Sequence, residues 1–179
     1  MTMKDYRTIV VGTDGSELAG QVVARAAWLA VRDDADLVIV CAFSQLPRRA
    51  EAKNVATLGG DPRTGQVLGR EAAGLALDGA MTTARKEGAT VSAALLVDGE
   101  PSTALTTTAE ERSADLIVLG AVHDRSLADR LLGTVATEVT KRAGCDVLVV
   151  RPVDEKGDLE IPEEASRVGG RWPWQTRLS

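Results

Sequence analysis

Short apolar runs alternate along this chain with longer stretches in which apolar residues recur at helical spacing. The runs are rich in Val, Leu and Ile, and they lack the strict apolar–polar alternation of a strand with one wet face. Such runs are typical of strands buried on both faces of a parallel sheet. The pattern therefore predicts five strands, over residues 7–12, 36–43, 91–97, 115–120 and 146–151.

The segments between these strands repeat apolar residues at intervals of three or four. Leu18, Val22, Ala26 and Leu29 show this spacing, and Ser16 is placed to cap the helix that they predict. Further helices are predicted over 68–87, from the turn at 99–102 to about 112, and from 133 to 144. Strands that alternate with helices favour right-handed crossovers. We therefore predict an α/β fold, a five-stranded open parallel sheet with helices on both faces.

Two internal segments and the C-terminus break this regularity. Residues 45–66 hold Pro47 and several glycines, and so long a connection is often a lid or a mobile loop. Residues 121–132 are polar and basic, and their pattern predicts no element. Pro152 stops the last strand. We therefore expect one domain over residues 1–152 and an irregular C-terminal extension over 153–179.

Large aromatic side chains are scarce and unevenly placed. They make up 3% of the 179 residues, and Trp172 and Trp174 stand near the C-terminus. The core must therefore be packed with Val, Leu, Ile and Ala. The extension also contains an acidic stretch, residues 154–164, with six acids and one lysine. One hypothesis is that its tryptophans dock onto the partner subunit or across the interface of a dimer. The alternative is that they bind an unknown protein partner.

Charge and composition exclude several classes of protein. The net charge of −5 comes from interspersed acids and bases, which argues against a nucleic-acid-binding surface. No apolar run approaches the ~20 residues of a membrane helix, and the N-terminus lacks the apolar stretch of a signal peptide. Two distant cysteines and a single histidine predict neither a disulfide scaffold nor a metal cluster. We therefore expect a cytoplasmic protein that binds neither nucleic acid nor a membrane.

Several residues suited to ligand binding fall where the predicted strands end. In an open parallel sheet, ligands bind beyond the carboxyl ends of the strands, near the reversal of strand order. Asp14 can accept hydrogen bonds from a ribose hydroxyl or an adenine amino group, and Gly133-Thr134 at a helix start suits a phosphate. Asp14 and Ser16 equally suit a turn and a helix cap with no ligand. Their placement on one rim favours a nucleotide site.

The same segments resemble the universal stress protein family. The first strand and the turn at 13–16 match the family's opening strand and turn, and the last third matches closely over 116–120, 130–135 and 147–152. The resemblance covers residues 5–152 apart from the 45–66 segment. It implies a Rossmann-like fold, similar to that of the adenine nucleotide alpha hydrolases, and a role in the stress response.

The nucleotide-binding branch of that family carries a glycine motif in its last third. The motif is a glycine, two residues, a second glycine, nine residues, then glycine and serine or threonine. Gly120, Gly133 and Thr134 fit it, but His123 stands in place of the second glycine. The histidine ring either contacts a phosphate, together with Arg125 and nearby Arg130, or blocks the site. A third alternative is a surface residue with no role.

The resemblance implies an adenine nucleotide as ligand, namely ATP, AMP or cyclic AMP, with Mg²⁺ as an optional companion. Thr13 and Asp14 would meet the ribose or adenine, Ala42 would line the adenine slot, and the glycine motif would hold the phosphates. The predicted nucleotide-binding residues are Gly12, Thr13, Asp14, Ala42, Gly120, His123, Gly133, Thr134 and Val135.

Three functions compete at this point. The first is a stress-response regulatory protein that binds an adenine nucleotide with little or no catalysis, and the second is a homodimeric interaction module whose site His123 blocks. The third is an enzyme, against which stands the lack of a Walker motif or a nucleophile elbow; the resemblance implies at most slow ATP hydrolysis. The resemblance also implies a homodimer through the last strand, whose apolar edge needs a cover.

Overall fold

Strands and helices alternate in the computed structural model, which describes residues 5–45, 66–121 and 132–152. The strands are β1 Thr8–Gly12, β2 Asp36–Ser44, β3 Val67–Leu68, β4 Val91–Asp98, β5 Leu116–Gly120 and β6 Asp146–Val150. The helices are α1 Glu17–Asp33, α2 Arg70–Lys86, α3 Pro101–Glu111 and α4 Thr134–Arg142. Within these residues, every helix is too short or too polar to cross a membrane. The predicted α/β fold is confirmed.

All the strand pairs in the sheet are parallel, and β1 lies at its centre. β1 pairs with β2 on one side and with β5 on the other, and β6 lies beyond β5. β4 pairs with β2 along the stretch that also faces β1, so β4 occupies the opposite edge of β2. The chain thus builds the sheet first on one side of β1 and then on the other. The order of strands reverses between β1 and β5, where an open α/β sheet binds its ligands.

The short strand β3 was not predicted. Val67 and Leu68 pair with Phe43 and Ser44, beyond the last residue of β2 that pairs with β1. The Gly69 N–H then donates to the Ser44 carbonyl at 2.9 Å before α2 begins. The prediction that Leu68 opens the second helix is therefore wrong. Two residues are too few for a periodic pattern to distinguish a strand from the first turn of a helix.

Both faces of the central strands are buried beneath helices. Ile9 and Val11 belong to the core that α1 and α2 cover, whereas Val10 belongs to the core beneath α3 and α4. All three side chains are fully buried. Phe43 is a buried aromatic ring of the first core, and the other members of both cores are Val, Leu, Ile, Ala and Cys. The prediction of an aliphatic core is confirmed for the described residues.

Several predicted features lie outside the described residues. They are most of the 45–66 connection, the segment 122–131 with His123, Arg125 and Arg130, and the extension 153–179 with Trp172 and Trp174.

Candidate functional site

The turn after β1 is held by the side chains of its own residues. An Asp14 carboxylate oxygen accepts a hydrogen bond from the Ser16 N–H at 2.9 Å, and the Ser16 hydroxyl accepts one from the Ala19 N–H at 3.1 Å. Gly15 adopts φ +77°, in the left-handed region. Asp14 and Ser16 therefore do make a turn and a helix cap. The bond to Ser16 also fixes the direction of the half-buried Asp14 carboxylate at the sheet rim.

Thr13 and Ala42 lie near the point where β1 ends against β2. The Thr13 N–H donates to the Val40 carbonyl at 2.9 Å, one residue past the last β1–β2 pair, Gly12 with Val40. Ala42 lies two residues beyond that pair, and the next residue of β2, Phe43, pairs with β3. Thr13 and Ala42 are both buried, at 8% and 6% exposed. Ala42 is therefore a small side chain at the place where the partner of β2 changes from β1 to β3.

Ala121, the residue that follows β5, is hydrogen-bonded through its backbone to the start of α4. Its N–H donates to the Val150 carbonyl at 2.8 Å, and its carbonyl accepts the Gly133 N–H at 2.7 Å. This pair of bonds brings Gly120 and Gly133 to the same place at the rim, although twelve positions separate them in the chain. Ala121 was not predicted as an anchor, because its contribution comes from backbone atoms that no side-chain pattern reveals.

The first turn of α4 leaves backbone donors without a helical partner. Gly133 is the N-cap, and within the described residues no side chain caps this helix. The first bond inside the helix runs from the Thr137 N–H to the Gly133 carbonyl at 3.0 Å. The N–H groups of Thr134, Val135 and Ala136 therefore point out of the helix start, where the helix dipole is positive. An anion is the natural partner of such a group of donors.

The rim thus gathers the predicted site residues from separate parts of the chain. β1 and β5 are neighbours, with Val11 paired with Val118, so the turn after β1 lies beside the end of β5 and its attached helix start. The predicted residues placed along this rim are Gly12, Thr13, Asp14, Ala42, Gly120, Gly133, Thr134 and Val135. His123, the ninth, lies outside the described residues. Among the described residues, no group of three or more potential ligand side chains could hold a metal ion.

Cys41 lies in β2 beneath this rim and is kept as a neutral thiol. Burial raises its pKa to about 12, and the nearby Asp14 carboxylate adds to the rise. The pKa of half-buried Cys145 is also raised, again mainly by burial. Because the thiolate is the reactive form, neither cysteine is suited to act as a nucleophile at neutral pH.

We expect Cys41 to resist thiol reagents in the folded protein. At pH 8, Ellman's reagent should modify Cys145 slowly and Cys41 far more slowly. Cys41 is fully buried, and its pKa is raised further than that of Cys145. Denaturation should release two reactive thiols. Cys41→Ser and Cys145→Ser variants identify which thiol reacts, and fast modification of native Cys145→Ser would contradict the expectation.

Comparison with known proteins assigns this fold to a family. A family model described as the universal stress protein family matches residues 5–151. A universal stress protein of Mycobacterium tuberculosis strain H37Rv is 36% identical over 148 residues, which are 83% of this chain and 98% of that protein.

Two solved structures of similar proteins hold adenine nucleotides. A crystal structure of a universal stress protein in complex with cAMP is 33% identical, with a TM-score of 0.60, and the match covers 83% of this chain and 98% of that one. The structure of the universal stress protein from Archaeoglobus fulgidus in complex with dAMP is 25% identical, with a TM-score of 0.57, and the match covers 82% and 98% of the two chains. With a family model that spans most of its length and a relative of this similarity, the chain belongs to the universal stress protein family.

Proposed function

We propose that this chain is a stress-response regulatory protein of the cytoplasm that binds an adenine nucleotide at the rim between β1 and β5. The observation that carries the proposal is the joining of the uncapped start of α4 to the end of β5, through the carbonyl of Ala121. This junction supports the proposal, because a helix start whose N–H groups suit an anion then lies near the Asp14 turn, at the reversal of strand order. The cAMP and dAMP complexes of similar proteins support adenine nucleotides as the ligand class.

The proposed contacts divide between the two sides of the rim. Asp14 accepts hydrogen bonds from the ribose, and the base lies beside Thr13 and Ala42. The phosphate accepts hydrogen bonds from the backbone N–H groups and the hydroxyl at the start of α4. Mg²⁺ is expected to bind only together with a di- or triphosphate, because its preferred ligands are phosphate oxygens, water and one or two carboxylates. Binding with little or no catalysis is the expected activity.

His123 decides between this proposal and its alternative. In the alternative, the ring blocks the phosphate position, and the chain is a homodimeric interaction module without a nucleotide. A His123→Gly variant separates the two. If it binds AMP no more tightly than the natural chain, the ring is no obstacle; if it alone binds, the site is blocked by the ring.

A thermal-shift experiment tests the proposal. A ligand that binds only the folded state raises stability by about 2.7 kcal/mol at a hundred times its dissociation constant. Millimolar AMP, ATP or cyclic AMP, with and without Mg²⁺, is expected to raise the midpoint of unfolding. Adenosine is the matched control for the phosphate contacts and should give a smaller rise. No shift with any of the three nucleotides would contradict the proposal.

Asp14→Asn is expected to weaken AMP binding by at least about tenfold, which is the value of losing one charge-assisted hydrogen bond. The asparagine oxygen can still accept from the Ser16 N–H, so the midpoint of unfolding without ligand should barely change. Asp14→Ala removes the turn acceptor as well and should lower both affinity and stability. Calorimetric titration with AMP gives the affinities. Unchanged affinity in Asp14→Asn would restrict this carboxylate to its part in the turn.

We further propose that the chain forms a homodimer through the outer edge of β6, the edge that pairs with no described strand. Two backbone bonds, from Ala121 to the Val150 carbonyl and from Asp146 to the Asp115 carbonyl, direct the even-numbered residues of β6 toward β5. The N–H groups of Val147 and Val149 therefore face the other edge. Both side chains are half-buried, and an apolar edge of this kind is a site for pairing with a second strand.

Val149→Pro is expected to weaken this dimer by about tenfold or more, since it removes an outward N–H and leaves the bonds to β5. Val149→Ala is the matched control, because it shortens the side chain and keeps the N–H. Sedimentation equilibrium measures the dissociation constants. A natural chain that stays monomeric at high concentration, or a Val149→Pro variant that dimerises unchanged, would contradict the proposed interface.

A further inference from the structure

The outer side of α1 carries two large apolar side chains that the described structure leaves half uncovered. Trp28 and Val31 are each 50% exposed. We call the surface formed by Gln21, Arg25, Trp28, Val31 and Arg32 the α1 outer face. Clustered exposed apolar side chains mark interaction surfaces, and tryptophan and arginine are both among the residue types enriched there.

Two arginine side chains lie beside the exposed apolar groups of the α1 outer face. Arg25 is exposed, and no ion pair joins it to another residue of the described ranges. Arg32 pairs with Asp33, and its guanidinium lies 5.6 Å from the centre of the Trp28 ring. An apolar centre flanked by guanidinium groups favours an acidic segment that also carries apolar side chains.

The end of β6, after which the C-terminal extension begins, lies beside one flank of α1. α1 contacts β5 and β6 on the side away from α2, and Leu148 and Val150 of β6 pack into the core that α1 covers. Leu18 and Val22 lie within 3.5 Å of the position that a Cβ on Gly120 would take, and Gly120 pairs with Val150. Arg25 follows Leu18 and Val22 on the same helical flank.

The length of chain beyond Pro152 is enough to reach Trp28. Trp28 follows Leu18 by ten residues, which is about 15 Å along the helix axis. The seven residues from Pro152 to Leu159 span up to about 23 Å when extended. In an extended chain, Leu159 and Ile161 point to one side and the acids between and beside them to the other.

We propose that the acidic segment 154–164 of this chain docks on the α1 outer face, with Leu159 and Ile161 against Trp28 and Val31. The segment carries six acids against one lysine, and the four acids outside residues 158–161 complement the charges of Arg25 and Arg32. This inference does not depend on nucleotide binding.

Trp28 fluorescence in the full chain tests the proposal. The substitutions Trp172→Phe and Trp174→Phe leave Trp28 as the single tryptophan. In this background, Leu159→Ser with Ile161→Ser is expected to raise the acrylamide quenching constant of Trp28 by about twofold and to shift its emission to the red, because a docked apolar segment excludes water from the ring. Val168→Ser is the matched control within the extension and should change neither quantity.

Ionic strength and protein concentration distinguish the two groups that could cover Trp28, namely the acidic segment of the same chain and a second copy of the protein. Raising the ionic strength from 0.05 to about 1 M should increase quenching in the background chain if Arg25 meets the acids, since salt screens exposed charges. Quenching that falls as protein concentration rises would assign the cover to a second copy and overturn the proposal. Equal quenching with and without the Leu159 and Ile161 substitutions would overturn it as well. Circular dichroism confirms that each variant is folded.

Discussion

Thr134→Pro is expected to weaken AMP binding by about a hundredfold or more and to leave the stability of the ligand-free protein nearly unchanged. The substitution removes one N–H donor and the hydroxyl from the start of α4, and each hydrogen bond to a charged group contributes about 1.5–3 kcal/mol. Proline is favoured at the first position of a helix, where its missing N–H costs no helical bond. The residue before it, Gly133, already has the extended backbone, φ −62° and ψ 165°, that proline requires of its neighbour.

Two further variants separate the donors at this position. Thr134→Ser keeps both the N–H and the hydroxyl, so it should bind AMP as the natural chain does. Thr134→Ala keeps the N–H alone and should lie between serine and proline. Calorimetric titration gives the affinities, and thermal unfolding without ligand gives the stabilities. If Thr134→Pro binds AMP with unchanged affinity, the start of α4 does not hold the phosphate.

Gly15→Ala is expected to lower the free energy of unfolding by about 2–5 kcal/mol, as the sum of two costs. A residue with a Cβ at φ +77° costs about 1–2 kcal/mol, and forcing a methyl group into filled space costs about 1–3 kcal/mol. The added Cβ would lie 2.9 Å from the Cβ of Ala76 and 3.4 Å from its Cα. Ala76 belongs to the buried face of α2, so it cannot move aside without shifting that helix.

Gly74→Ala is the matched control for this effect. Gly74 lies inside α2, and nothing stands within 4 Å of the position that its Cβ would take. The same chemical change there should stabilise the protein by about 0.5–1 kcal/mol, the advantage of alanine over glycine within a helix. Urea unfolding of the two variants gives the comparison. A Gly15→Ala protein as stable as the natural chain would show that the turn after β1 adopts another conformation.

The five long strands and four helices were predictable because their apolar residues are set by burial. Strands covered on both faces need continuous apolar runs such as residues 9–11, and helices that cover them need an apolar stripe. Pro101 and Gly133, which mark the starts of α3 and α4, act locally through the conformations that they allow or favour. β3 could not be predicted, because it exists only through its pairing with the end of β2.

The candidate site was predictable in its residues and less so in its construction. The sequence indicates Asp14 because its carboxylate suits a turn. It indicates Gly133 and Thr134 because a glycine followed by a hydroxyl at a helix start suits an anion. Ala121 holds β5 to α4 through backbone atoms that almost any residue would supply. From the sequence, Asp14 suited either a turn or a ligand site at the rim. In the structure, its carboxylate stabilises the turn and also lies at the rim.

The central claim is that an adenine nucleotide binds where the Asp14 turn, the end of β5 and the start of α4 meet. The most direct test is a titration of the ¹⁵N-labelled full chain with AMP, followed by the assigned amide resonances. We expect the largest shifts at residues 13–15, 42, 120–121 and 133–136, with small shifts at residues 25–32 of α1. Saturating AMP that shifts no resonance, or that shifts mainly resonances outside this rim, would contradict it.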